Sequence, residues 1–112
     1  MLRVAIRRIR PDRESRLRAW LSELNARASE VRDTFRNETV RAEQAYIVPG
    51  ATGPLLVYVM EAEDFAHAAA AVAASPYKID QEHRAIMKEC LAESLDLSPL
   101  YDVALEGSGG SE

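Results

Sequence analysis

Apolar residues change their spacing repeatedly along the chain, and each change marks an element. From Leu2 to Ile9 they alternate: Leu2, Val4 and Ile6 fall on one face, and Arg3, Ala5, Arg7 and Ile9 on the other. This is the period of a half-buried strand. Pro11 breaks it. Asp12 is then placed to cap a helix whose apolar positions Leu17, Trp20, Leu21, Leu24, Ala28, Val31 and Phe35 recur at three- and four-residue steps to about Asn37. Such a helix would reach roughly 36 Å against roughly 26 Å for an eight-residue strand, so it is expected to overhang the sheet or bend near Asn25 to Ser29.

Thr39 to Val48 returns to alternation and predicts a second strand. Pro49 to Pro54, PGATGP, holds two glycines and two prolines between strand patterns and reads as a hairpin loop. It lacks the lysine and following helix of a phosphate-binding loop. Leu55 to Glu61 gives a third strand whose run LLVYVM is apolar on both faces, so something must cover each side. Glu63 and Asp64 open an alanine-rich helix through Ala74. Pro76 forces an irregular joint from Ser75 to Ile79, after which Asp80 is expected to cap a helix running to about Ser94. Pro99 precedes a last alternating stretch, Leu100 to Leu105, read as the fourth strand. Residues 1–106 thus form a single α+β domain in the order β-α-β-β-α-β, and the remainder, 107–112, has the composition of a flexible Gly/Ser linker.

Composition narrows the function classes. The net charge is -4, against a general affinity for nucleic acid. The ten arginines within residues 1–37 are interleaved with five acids and read as solvated helix faces rather than a phosphate-binding strip. The single cysteine, Cys90, leaves no intrachain disulfide, and no apolar run approaches the length of a membrane span, so a cytoplasmic protein is expected. His67 and His83 are the two histidines, and their spacing with Cys90 matches no zinc pattern; no metal or cofactor is expected. Cys90 lies on an apolar helix face and reads as a small core residue, not a nucleophile.

The β-α-β-β-α-β order places both helical crossovers on one face of a four-stranded antiparallel sheet and leaves the other bare. With Leu56, Tyr58 and Met60 assigned to that bare face beside Ala5, Ile9, Ala45 and Ile47, the exposed patch is larger than a monomer usually tolerates. A homodimer with sheets packed face to face is the expected cover. In this element order, and in the pattern carried by Ser75, Pro76 and His83, the chain resembles the dimeric α+β barrel superfamily of ferredoxin-like domains, to which small antibiotic-biosynthesis-type monooxygenases belong. Through RRIRPDRESRLRAWLSEL at Arg7 to Leu24, Glu43 and IDQEH at Ile79 to His83, it more closely resembles a family of small uncharacterised bacterial proteins, which implies no known activity.

The superfamily resemblance implies a ligand site between sheet and helices or in the barrel interior. Arg7, Glu43, Tyr58, Asp80 and His83 are the candidates to line it. For Arg7 and Glu43 the competing expectation is a cross-strand ion pair at the dimer interface, and for Tyr58 interface core. His83 falls on the buried stripe of its helix and, as the expected third helical residue, near the positive end of the macrodipole. Both effects favour the neutral imidazole, whether it packs against Asp80 or a backbone carbonyl or meets a ligand. Three functions follow in order: a small-molecule binding or accessory dimer without a cofactor, a cofactor-independent oxygenase or isomerase using His83, and a structural interaction module.

Overall fold

The computed structural model describes residues 1–105; the Gly/Ser stretch 107–112 lies outside them. Eight elements follow in order: β1 (Leu2–Ile9), α1 (Glu14–Ala26), α2 (Ala28–Glu38), β2 (Val40–Val48), β3 (Leu55–Ala62), α3 (Phe65–Ala73), α4 (Lys78–Cys90) and β4 (Leu91–Leu95). The strands form a four-stranded sheet in the order β2-β3-β1-β4, with every neighbouring pair antiparallel. This is the ferredoxin-like arrangement, with both helical segments divided in two.

The long first helix breaks at Arg27, inside the stretch where its length demanded a bend. Arg27 holds the break: its guanidinium reaches Glu23 of α1, Glu30 of α2 and Glu82 of α4 at 2.8, 2.9 and 2.8 Å. Asp12 does not cap α1. It has a positive φ of 65° and the N-cap position falls to Arg13, without a side-chain hydrogen bond. Asp64 does cap α3, accepting the His67 N–H at 3.0 Å. Between β2 and β3, a Cβ on Gly50 would stand 2.5 Å from the Gly53 carbonyl oxygen, which explains a glycine at that turn.

Two expectations are overturned. The fourth strand is not Leu100–Leu105 but Leu91–Leu95, entered directly from α4 with no connecting residue. Leu91 and Leu95 stand four apart, as on a helix face, yet the chain turns extended at Leu91 because β1 offers an unpaired edge there. Leu91 then lies opposite Ile9 and is buried. The faces of the sheet are also the reverse of those expected. Ile9, Leu56, Tyr58, Ala45 and Ile47 pack beneath the helices against Leu17, Trp20, Ile79, Ile86 and Cys90. Met60 joins a second cluster of Val40, Ala62, Phe65 and Ala68, and Ala5, opposite Tyr58, shares that side. A strand that is apolar on both faces carries no parity signal, so nothing in the third strand separated inside from outside.

The helix-free face consequently carries Leu2, Val4 and Ile6 from β1, Val57 and Val59 from β3, and Tyr46 and Val48 from β2, with Arg8, Gln44 and Glu61 among them. It remains apolar and open: Val4 is 43% and Tyr46 49% exposed. No described helix is long and apolar enough to cross a membrane.

Leu17 is the largest fully buried aliphatic side chain. Leu17→Ala is expected to destabilise the fold by about 2 to 5 kcal/mol through lost burial and a residual cavity, checked by urea denaturation followed by circular dichroism.

Candidate functional site

Between the sheet and α2 and α4 lies a cleft of about 510 Å³. All five residues expected to line a site stand on its wall: Arg7 from β1, Glu43 from β2, Tyr58 from β3, and Asp80 and His83 from α4. The rest of the wall is mostly apolar, including Leu24, Val31, Phe35, Met60 and Met87.

Arg7 and Glu43 do not pair. Arg7 lies opposite Leu56 and Glu43 opposite Met60, four residues apart along the intervening strand, too far for an ion pair. Arg7 instead donates through Nε and Nη2 to the Ala92 carbonyl at 3.1 and 2.6 Å, fastening β4 to the sheet. Glu43 accepts the Tyr58 hydroxyl at 2.5 Å. Burial and the nearby acids push the Tyr58 phenol up, so it stays a donor. Burial raises the Glu43 carboxyl too, opposed by the Tyr58 hydrogen bond.

α4 begins earlier than its sequence suggests, at Lys78, so Asp80 sits in the first turn and His83 is the sixth helical residue. The macrodipole therefore plays no large part at His83. Burial lowers its pKa, with Asp80 opposing. Its partner is neither Asp80 nor a backbone carbonyl: Nδ1 accepts the Trp20 Nε1–H at 2.8 Å, with ring centroids 6.1 Å apart. An acceptor Nδ1 leaves the proton of the neutral ring on Nε2. The Tyr58 ring stands 6.3 Å away across the cleft.

One participant was missed. Glu38, the last residue of α2, is 3% exposed and borders the same cleft. Its Oε2 is buried without a donor from the protein. Its carboxyl lies near that of Asp80, and burial together with that acid pushes its pKa up to about 8. Glu38 therefore keeps its proton near neutral pH. Asp80 is held in turn by the Ser75 hydroxyl at 2.6 Å, and Ser75 Oγ also accepts the Tyr77 N–H at 3.1 Å. The sequence signal for Glu38 was faint: an acid at a helix C-terminus, where the dipole favours a cation. Among the described residues no cluster of His, Cys, Asp and Glu is arranged to hold a metal ion, and Cys90 is a buried core residue whose thiol is pushed up by desolvation.

Residues 2–106 match the model described as "Family of unknown function (DUF6176)". No curated protein and no solved structure matches the chain.

Two pH responses follow. The unfolded Glu38 carboxyl titrates near 4.5 and the folded one near 8, so the folded state binds the proton more tightly and stability falls as pH rises through that window. Glu38→Gln should flatten this loss and exceed the parent at pH 8.5 by more than about 1 kcal/mol, read as the difference between urea denaturation curves at pH 5.5 and 8.5. Trp20 is the chain's single tryptophan. Protonating His83 destroys the acceptor for its indole, so Trp20 emission is expected to change on acidification with a midpoint below 6.5. His83→Gln should abolish that transition.

Proposed function

We propose that this chain, which belongs to the DUF6176 family of unknown function, is a cytoplasmic small-molecule binding protein that acts as a homodimer without a resident cofactor. The observation that carries this reading is the convergence of the Glu43–Tyr58 pair, the Glu38–Asp80 pair and neutral His83 on one apolar-walled cleft. Its volume of about 510 Å³ suits a ligand of ordinary metabolite size. Polar groups there are oriented by the protein, and His83 Nε2–H is left to donate. The expected ligand is a mostly apolar organic molecule bearing an oxygen acceptor for His83.

A second reading, a cofactor-independent oxygenase or isomerase, draws on one further observation. The cleft wall holds an imidazole kept neutral by burial, His83, and an acid kept protonated near neutral pH, Glu38. With Nδ1 held by the Trp20 indole, His83 would act through its Nε2–H, which with the Glu38 proton suits polarising a substrate oxygen.

Dimerisation is supported by the helix-free face. Val4, Ile6, Tyr46, Val57 and Val59 make a self-complementary apolar surface when two copies pack with their sheets face to face.

Two measurements test these readings. A thermal-shift screen of phenolic, enolic and keto compounds should find a stabilising ligand. His83→Gln should weaken its binding by calorimetry; unchanged affinity would remove His83 from the site. For the dimer, Val59→Asp places a carboxylate in the paired sheets at a cost of several kcal/mol and should yield monomer by light scattering at micromolar concentration, where the parent has dimer mass.

A further inference from the structure

α3 is largely alanine, FAHAAAAVA. Such a run favours the helix but fills little space, and between α3 and the sheet it leaves a second cavity of about 350 Å³. Ala5 and Met60 from the sheet and Phe65, Ala69 and Val72 from the α3 side make most of its wall. This lobe adjoins the cleft along a shared wall of Glu38, Tyr58, Met60 and Val72. Ala5 and Ala45 stand opposite Tyr58 on either side, so short side chains flank the phenol on the floor.

Two polar groups on the lobe lack the partners their chemistry invites. Arg3 lies opposite Met60 in the β1–β3 ladder and so faces the helices. Its guanidinium carbon lies 4.2 Å from the centroid of the Phe65 ring, a ring that is itself buried. Stacked in this way, a guanidinium keeps the N–H fork along its edge available, in the geometry that grips a carboxylate. Arg8, Arg16, Arg18, Arg27, Arg36 and Arg41 each meet a carboxylate of the chain. Arg3 pairs with no acid among the described residues. The second group is Glu38, whose buried Oε2 has no protein partner and whose side chain stands where lobe and cleft meet. Its carboxyl keeps its proton near neutral pH and can donate to a ligand oxygen.

We propose that the ligand of this protein is an elongated organic acid whose carboxylate is forked by Arg3, whose apolar body lies along the α3 lobe, and whose internal oxygen accepts from His83 and Glu38 in the cleft. The inference rests on the small-molecule reading above and adds the charge of the ligand and its direction. Arg84 and Lys88 also border the cleft, but they stand on the exposed side of α4 and do not line the lobe. Arg84 already reaches the Val72 carbonyl at 3.5 Å. A carboxylate on Arg3 therefore orients the molecule lengthwise, through the wall the two cavities share.

The test uses the full-length chain and a series of benzoylalkanoic acids of increasing chain length, each with its methyl ester, with binding read by calorimetry. At least one acid is expected to bind at least about tenfold tighter than its ester, the order of one charge-assisted hydrogen bond. Arg3→Gln should bring that acid down to the affinity of the ester and leave the ester unchanged, and Arg3→Lys should recover part of the difference. Ala69→Leu fills the lobe from an exposed helix position and should penalise the longer chains while sparing the shortest. An ester that equals its acid throughout, or an acid preference that survives Arg3→Gln and is lost instead in Arg84→Gln, overturns the Arg3 seat and leaves the cleft reading standing. Loss of the ester together with the acid in Arg3→Gln marks Arg3 as structural and overturns the seat as well. Absence of binding by every acid and ester overturns both readings.

Discussion

A four-stranded sheet has two faces, and in this chain the described helices all serve one of them. That constraint organises everything else. Under the helices, Leu56 and Ile9 meet Leu17, Trp20 and Ile86 in a closed core, and the sheet's remaining length beyond that core becomes the floor of the cleft. On the reverse side, valines and a tyrosine stand in the open because no described helix packs there. Site and bare surface are therefore two results of placing every described helix on one layer.

The cleft wall sets three acids, Glu38, Glu43 and Asp80, against the bases Arg7, Arg84 and Lys88. Glu38 and Glu43 share a partly desolvated space beside Asp80, and burial with the neighbouring acids raises the pKa of both. Tyr58 and Ser75 donate into the group, and Glu38 retains its proton near neutral pH, so the net charge there is smaller than a count of carboxyl groups suggests. His83 fits the same logic from the basic side. Held by an indole donor on Nδ1, it would have to forfeit that hydrogen bond to become a cation. The wall is thus a set of oriented dipoles more than a set of charges.

Much of the architecture was legible in the residues. The helix-spaced stripe from Leu17 to Phe35, the hairpin at Pro49–Pro54 and the overlength of the first helix led directly to α1, α2 and the break at Arg27. Three things were not legible, for physical reasons. Leu91 and Leu95 satisfy both a helical and an extended spacing, and the choice was made by the unpaired edge of β1. Leu55–Met60 is apolar on both sides, so its facing depended on the helices above it. Glu38 looked like an ordinary surface acid, because its burial comes from α2 ending against α4, a tertiary fact. All five candidate residues nevertheless stand on one cleft, since the parity errors affected which face was covered and not which residues shared it.

The junction between α4 and β4 contains no residues: Cys90 closes the helix and Leu91 is already strand. A loop would act as slack, taking up small movements at one end before they reached the other. Here there is none, and Arg7 clamps the first turn of the strand through the Ala92 carbonyl. The helix that bears Asp80 and His83 is in effect a stiff rod welded to the margin of the sheet. Any tilt imposed on it from within the cleft is delivered undamped to the edge of the sheet at Leu91–Leu95.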